Sequence, residues 1–392
     1  MAWPQVRLWT FSEVLKQSLA DHPSVLARRS SAAAAQADYE AAEWQRYPTP
    51  TIEAVAADNT TGTTTRLRVQ QPLWTGGRIT AGIDATLSRK DASDFAITEA
   101  QQDVALRVAA AYVDALRQQM REEQGRRGVE EHQRLLELIG RRVQQEVSAP
   151  VDRELAQSRL YLAMTELSLN TQQRFSALAQ LAQLAGRPVE RVATLDAELL
   201  PPAPSEASAL DAAITVSPTL RRIAAEERAA SADVDSRRAV LWPQLGVRYE
   251  RDFGGPFTPS DSRLLLVVEA TPGAGLSAGS AIEAARSRQR SIEHTRAAAV
   301  RDLRERISID WNELRYAGER LKSAELSRQT AATVFDSFTR QYTTGRKTWI
   351  DVMNSVREFT QAEFAVADAM GQHAAASLRL GILTGVIRPP AP

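Results

Sequence analysis

The amino-acid sequence contains one unit written twice. Corresponding residues lie 195 positions apart early in the chain and 199 positions apart farther along: Pro23 with Pro218, Tyr47-Pro48 with Trp242-Pro243, Asp152 with Asp351, and Gly186 with Gly385. An offset that changes once and then stays constant indicates a duplication in which the second copy carries about four extra residues. We therefore expect two structural repeats with the same order of elements, at 10–186 and 208–386, joined by a linker at 187–207.

Each repeat is predicted to contain a helix, two strands, a long helix and a final helix. In the first repeat an alanine-rich helix over about 10–46 ends where Pro48 disfavours helical geometry. Leu67 and Val69 then alternate with polar residues, which is typical of a two-faced strand, and the segment 72–78 is expected to end this strand. The four predicted strands lie near 50–58, 64–72, 244–252 and 263–270. The switches between helix and strand are marked by Pro48, Gly76, Gly77 and Pro243.

The long helices are predicted over about 78–147 and 279–344. In the second of them Val300, Ile307 and Leu314 recur every seven residues, which predicts left-handed supercoiling against neighbouring helices. At 1.5 Å per residue each long helix measures about 100 Å, about the combined length of the two shorter helices in its repeat. Each repeat is therefore expected to be a rod two helices thick with a β-hairpin at one end.

Composition excludes several classes of function. The 392 residues carry 48 Lys and Arg against 48 Asp and Glu, so no strongly basic surface predicts a nucleic-acid partner. Cysteine is absent, which excludes disulfides and thiolate metal sites. The four histidines have no metal-ligand spacing and are expected at the surface. Because no nucleophile–base set or phosphate loop is present either, we predict no enzyme, no cofactor and no metal site.

The hairpins determine which surroundings the chain requires. No apolar run approaches the roughly 20 residues of a membrane helix, whereas two-faced strands of about 8–10 residues can cross an outer membrane when tilted. Four strands cannot close a barrel, and lipid does not tolerate open edges, so three chains are expected to pool twelve strands. Aromatic residues of an interfacial girdle are expected at Tyr47, Trp74, Trp242 and Tyr249. Candidates for the barrel lumen are Arg66, Arg68, Arg248 and Glu250.

Two alternatives to an outer-membrane protein stay open: a cytoplasmic protein and a soluble coiled-coil scaffold. The N-terminal residues Met1-Ala2-Trp3-Pro4 do not form a signal peptide, so the sequence is either a mature form without its leader or a cytoplasmic protein. A soluble coiled-coil scaffold is the alternative from a different class of function. That scaffold would not explain why strands occupy the same position in both repeats, so we favour the exported membrane protein.

Three motifs, in an order that recurs through the two repeats, resemble the TolC family of outer-membrane export channels. They are Pro72-Leu73-Trp74-Thr75-Gly76-Gly77-Arg78, Trp242-Pro243-Gln244-Leu245 and Gly345-Arg346-Lys347-Thr348-Trp349-Ile350-Asp351-Val352. The resemblance covers about 10–386. It implies a mainly α fold with β: a homotrimer with a 12-stranded β-barrel in Gram-negative outer-membrane lipid, continued by an α-helical barrel through the periplasm. Such channels are passive conduits that work with a periplasmic adaptor, or membrane fusion protein, and an inner-membrane transporter.

Further motifs are similar to the agglutination-protein branch of this family, which includes LapE. They are Ala274-Gly275-Leu276-Ser277, the segment 345–354 and the segment 357–362. This branch implies type I secretion of a large adhesin, with an ABC transporter as the inner-membrane partner. A drug or metal efflux channel that works with a proton-driven pump is the alternative.

The resemblance also implies a periplasmic gate at the helix tips. The gate and pore positions fall on Tyr342, Lys347, Asp351, Asn354 and Asp152. Lys347 and Asn354 stand where the family pattern has Arg and Asp, so a carboxylate ring is expected at Asp351 but not below it. The adaptor is expected to dock on Val147, Ser148, Ala149, Pro150, Gly345 and Arg346.

The residues alone allow a simpler interpretation of the tips. Tyr342 and Lys347 could be solvated residues at a helix end. Asp351 and Asp152 could stabilise the N-terminus of the helix that each begins. Trp349 is expected to pack where the helix tips meet.

Overall fold

The computed structural model describes residues 7–56, 63–196, 205–253, 261–271, 273 and 277–387. The elements of its first half are β1 (Leu8–Trp9), α1 (Phe11–Asp21), α2 (Pro23–Trp44), β2 (Thr49–Ala56), β3 (Thr63–Trp74), α3 (Arg78–Gln144) and α4 (Pro150–Ala185). The second half contains β4 (Arg191–Val192), α5 (Glu206–Val216), α6 (Pro218–Ala239), β5 (Gln244–Phe253), β6 (Asp261–Glu269), α7 (Ala278–Thr343) and α8 (Trp349–Leu383). Two predictions lie partly outside the described residues. These are the end of the first predicted strand, at 57–58, and residues 274–276 of the branch motif.

The first helix of each repeat is interrupted, whereas one uninterrupted helix was predicted over 10–46. α1 ends at Asp21 because His22 has an extended backbone, the geometry preferred before a proline. Pro23 then begins α2, where its missing N–H costs no intrahelical bond. Ser217 and Pro218 produce the same break between α5 and α6. Pro23 and Pro218, which help to reveal the repeat, are therefore also helix starts.

The four longer strands form one antiparallel sheet in the order β2-β3-β5-β6. β3 continues to Trp74, so the strand ends within the segment 72–78 that was predicted to end it, two residues beyond the predicted bound at 72. Its pairing with β5 shifts register between Pro72 and Trp74. An irregularity of this kind lets a strand keep a proline that cannot donate to the ladder.

A second, two-stranded sheet pairs β1 with β4 in parallel. The fully buried Tyr112 of α3 holds it, because its Oη lies 2.9 Å from the Trp9 carbonyl oxygen and 2.8 Å from that of Ala193. Burial raises the pKa of the Tyr112 hydroxyl, so it stays protonated and able to donate. The predicted linker at 187–207 is thus packed in part of its described length, where Val192 is buried.

The chain divides into two compact units, and each takes segments from both repeats. One unit comprises Met1–Val25, Ala100–Ser217 and Leu303–Pro392 and contains the two-stranded sheet and the turns between the long and final helices. The other comprises Leu26–Glu99 and Pro218–Asp302 and contains the four-stranded sheet.

Two buried clusters are important in the first of these units. One packs α5 against α7 and α8, and there the predicted seven-residue seam buries Ile307 and Leu314. The other packs α3, α4, α7 and α8 where the helices end, and it is called the tip cluster below. None of the helices within the described ranges has an apolar stretch long enough to cross a membrane.

Candidate channel surface and helix tips

One face of the four-stranded sheet carries a ladder of ion pairs. The pairing register places Arg68 beside Glu250 and Glu250 beside Arg263, and it places Arg66 beside Asp252. The Nε atoms of Arg68 and Arg263 lie 3.2 Å from the two Glu250 oxygens, and Arg66 Nε lies 2.6 Å from Asp252 Oδ1. Three strands are thereby connected on their polar side. The predicted lumen residues Arg66, Arg68, Arg248 and Glu250 share this face.

The opposite face of the same sheet is apolar and exposed. Leu264 and Leu266 of β6 have 72% and 69% of their surface exposed, although most leucines of a folded protein are largely covered. Other exposed apolar residues on this face are Ile52, Tyr249, Phe253 and Val268. A contiguous apolar surface of this extent indicates contact with lipid or with another protein.

The base of the sheet is formed by the predicted junction residues. Pro48 lies just before β2, and Pro243 just before β5. Gly76 and Gly77 have φ angles of 61° and 90°, values that favour glycine. At Gly76 the chain also passes so close to Trp242 that a Cβ atom would lie 2.7 Å from the Trp242 Cβ.

Exposed aromatic rings surround this base. The predicted residues Tyr47, Trp74 and Trp242 are all exposed, and the Trp74 and Trp242 rings lie 6.5 Å apart, edge to face. Trp44, which the sequence analysis missed, packs on Tyr47 with ring centroids 5.2 Å apart. Its place at the end of α2, three residues before Tyr47, was the available signal.

The turns at the two helix tips have the same backbone geometry. Glu146 and Gly345 both adopt a left-handed conformation, with φ of 57° and 76°. In each turn the next residue donates its N–H across five positions, from Val147 to the Arg142 carbonyl and from Arg346 to the Gln341 carbonyl, at 2.9 Å in both. This is the Schellman closure of a helix. The turn of the first repeat has Glu146 where the second has Gly345, and this difference leaves the backbone of the turn unchanged.

Tyr342 is not a solvated helix-end residue, because it is only 6% exposed in the tip cluster. Its ring centroid lies 5.1 Å from that of Trp349, and its Oη lies 3.0 Å from Ser148 Oγ. The Arg142 guanidinium lies 4.8 Å from the ring centroid of Tyr342. Trp349 is buried as expected, whereas Arg142 was not among the predicted site residues.

Asp351 stabilises the start of α8, as the simpler interpretation held. Its Oδ2 accepts hydrogen bonds from the Thr348 hydroxyl at 2.8 Å and the Thr348 N–H at 3.1 Å, and the Thr348 hydroxyl accepts from the Asp351 N–H. These bonds, together with the charge of Lys347, hold the pKa of the Asp351 carboxyl below its ordinary value. Asp351 therefore carries a negative charge at any physiological pH.

The other predicted tip residues are mostly at the surface of the chain. Lys347 contacts a neighbouring ring, with its Nζ 4.1 Å from the Phe338 centroid, and Asp152 lies in the first turn of α4. The exposed positions among them are Asn354, Val147, Ala149, Pro150, Gly345 and Arg346. The structure thus brings together Tyr342 and Ser148 and leaves most of the expected docking residues accessible.

The four histidines are not all at the surface as expected. His132 of α3 is buried, and its burial lowers the pKa of the imidazole, so the ring is neutral near pH 7. No cluster of His, Cys, Asp or Glu that could hold a metal occurs among the described residues.

The two tips differ in how their second helix is capped, which leads to a prediction for Ala149→Thr. Ala149 has the extended backbone of an N-cap but no side-chain bond, whereas the equivalent Thr348 forms a capping box with Asp351. A Thr at 149 could form the same box with Asp152 and stabilise the first turn by about 1 kcal/mol. Amide hydrogen exchange in the first turn of α4 should then slow by about fivefold. Val147→Thr, in the same turn but outside the cap, is the control and should leave that exchange rate unchanged.

A match to a family model indicates the class of protein. Residues 14–187, less than half of the chain, match the model of the family described as outer membrane efflux protein. This family and the channels with the same fold are non-enzymatic conduits. No curated protein matches the sequence.

Solved structures of particular channels share the fold over nearly the whole chain. VceC from Vibrio cholerae is 14% identical, with a TM-score of 0.79 over 96% of both chains. The MtrE channel of Neisseria gonorrhoeae, solved in an open state, is also 14% identical, with a TM-score of 0.78 over 98% of this chain and 93% of its own. CusC is 12% identical, with a TM-score of 0.80 over 95% and 91%. The fold is therefore that of a TolC-like channel.

Proposed function

We propose that this chain is the outer-membrane channel of a tripartite export system, a passive conduit in a Gram-negative outer membrane that extends into the periplasm. The observation that carries the proposal is the two-faced sheet, ion-paired on one side and exposing Leu264 and Leu266 on the other. A soluble scaffold would not place such an apolar face in water. The family match lies in the first repeat, and the second repeat carries corresponding residues at offsets of 195 and then 199.

The active form we propose is a homotrimer. β2 and β6 are the edges of the sheet, and an open edge in lipid leaves backbone groups without hydrogen-bond partners. Joining β6 of one copy to β2 of the next would give a closed barrel of twelve strands. Cross-linking in outer membranes should capture a trimer, and a monodisperse monomer in aqueous buffer would contradict the proposal.

We place the gate at the helix tips. The Tyr342–Ser148 hydrogen bond and the tip cluster connect the two turns of one chain, so that they would open or close together. Asp351 would contribute one carboxylate per chain to a pore-lining ring, with Asp152, Lys347 and Asn354 near it. The adaptor would dock on the exposed turns, over 147–150 and 345–346.

Asp351→Asn tests the ring separately from the cap. The amide oxygen of Asn can still accept the Thr348 N–H bond, so the helix start should persist while the three charges disappear. Block of the open channel by multivalent cations in planar bilayers should weaken by about tenfold or more, since each 1.4 kcal/mol of lost attraction is a factor of ten. Unchanged block in this variant would reject the carboxylate ring.

The cargo is the finer part of the proposal. The branch motifs favour type I secretion of a large adhesin with an ABC transporter, whereas the family description, outer membrane efflux protein, favours the efflux alternative. Deletion of the gene separates the two. Loss of surface adhesin with unchanged drug and metal sensitivity would support secretion, and the reverse result would support efflux.

A further inference from the structure

One charged side chain lies on the apolar face of the four-stranded sheet. Arg251 of β5 points to the same side as Tyr249 and Phe253 and is exposed. Within the described strands, the other residues of that face are uncharged. A lone arginine on a face that the proposed function puts in lipid is costly unless it lies at the headgroup level and meets an anion.

The arginines on the opposite face are supplied with anions by the sheet itself. Arg66, Arg68 and Arg263 each form an ion pair with Asp252 or Glu250. Arg251 instead lies over the ring of Phe253, with its guanidinium carbon 5.1 Å from the centroid, and no carboxylate among the described residues pairs with it. Its counter-charge must therefore come from outside the described part of the chain.

The position of Arg251 along the strand indicates which anions it can reach. β5 starts at Gln244 beside the aromatic base, and seven residues at about 3.3 Å each place Arg251 about 23 Å farther on. Because the strands of such a barrel tilt by about 35–45°, this distance rises about 16–19 Å through an apolar band about 25 Å tall, so Arg251 would lie in the outer part of the band and its long side chain could extend to the outer-leaflet headgroups. The outer leaflet of a Gram-negative outer membrane consists of glycolipid that carries phosphate groups.

We propose that Arg251 and Ser262 form a binding site for a phosphate group of this outer-leaflet glycolipid. Ser262 is the cross-strand partner of Arg251, so the two side chains lie about 5 Å apart at their Cβ atoms on one face. The guanidinium would donate two parallel hydrogen bonds to the phosphate, and the serine hydroxyl would donate a third. Phe253 holds the guanidinium in place, while Leu264 and Leu266 would contact the acyl chains.

The test measures binding of lipid A to the purified full-length protein in detergent by native mass spectrometry. Arg251→Gln should weaken binding about tenfold, and Arg251→Lys should have a smaller effect because it keeps the charge but loses the paired geometry. Arg263→Gln, which removes an arginine from the opposite face of the neighbouring strand, is the matched control and should bind lipid A as the unchanged protein does. Dephosphorylated lipid A and phosphatidylglycerol should bind at least about tenfold more weakly than lipid A.

The outcomes distinguish this site from the proposed function on which it rests. A conducting trimer whose lipid A binding is the same with Arg251→Gln would overturn the site alone. Equal binding of dephosphorylated lipid A would also overturn it, and equal binding of phosphatidylglycerol would overturn the assignment to the glycolipid. A chain that neither trimerises nor conducts, yet loses lipid A binding with Arg251→Gln, would overturn the function and keep the site.

Discussion

Replacing Gly76 by alanine is expected to destabilise the four-stranded sheet by about 2–5 kcal/mol. Two costs add at this position. An alanine at a φ of 61° costs about 1–2 kcal/mol relative to glycine. Its Cβ would also lie 2.7 Å from the Trp242 Cβ and 3.1 Å from the Ala239 carbonyl oxygen, so the start of β5 would have to move at a further cost of about 1–3 kcal/mol.

Gly77→Ala is the matched control for this prediction. Gly77 also has a positive φ, of 90°, but a Cβ added there meets no atom within 4 Å. It should therefore show the conformational cost without the collision. Amide hydrogen exchange of β3 and β5 measures both variants, and we expect clearly faster exchange for Gly76→Ala. Equal acceleration in the two variants would mean that the close approach of Gly76 to Trp242 does not constrain the junction.

The order of elements was predictable because it depends on local signals. The helix-breaking prolines and the alternation in β3 and β5 are local patterns within one repeat. The offset between the repeats then shows that the second repeat has the same order of elements. The mixed helix–sheet fold of a TolC-like channel is accordingly confirmed. The break at His22 was missed although Pro23 had been noted, since apolar residues at helical spacing occur on both sides of it.

Features that depend on distant contacts were not predictable. β1 and β4 have two residues each, too few for any periodic signal, and they exist because Tyr112 binds carbonyl groups beside both. Tyr342 near the end of α7 could face solvent or the core equally well on its own sequence. Its burial results in part from α3 and α4, whose residues are separated from it by about 150 positions or more.

The sheet and the tips share one arrangement that the duplication makes possible. In each, a segment of the first repeat lies against a segment of the second, as in the pairing of β3 with β5 and in the contact between Ser148 and Tyr342. The two repeats have diverged at the tips. Ala149 lacks the cap that Thr348 has, and Pro150 is exposed where Trp349 is buried. We infer that the second repeat supplies most of the apolar anchoring at the tips.

Trp349→Ala follows from that inference and should have the largest effect on the tips. Trp349 is only 3% exposed, and its ring packs against Tyr342 within the tip cluster. Removing a buried tryptophan side chain costs about 3–5 kcal/mol, because the surrounding helices collapse only in part. We therefore expect faster hydrogen exchange at the ends of α3 and α7 and, if the tips form the gate, a higher basal conductance in planar bilayers.

Ile350→Ala is the control for this variant, since Ile350 follows Trp349 directly but is 58% exposed and should change stability by no more than about 0.5 kcal/mol. Trp349→Phe adds a second comparison. The Trp349 indole N–H has no hydrogen-bond partner among the described residues, so Phe keeps the ring contact without losing a bond and should be milder than Ala. Faster exchange without higher conductance in Trp349→Ala would support the anchoring role of the tip cluster and contradict a gate at the tips. Unchanged exchange would show that Trp349 does not anchor the tips at all.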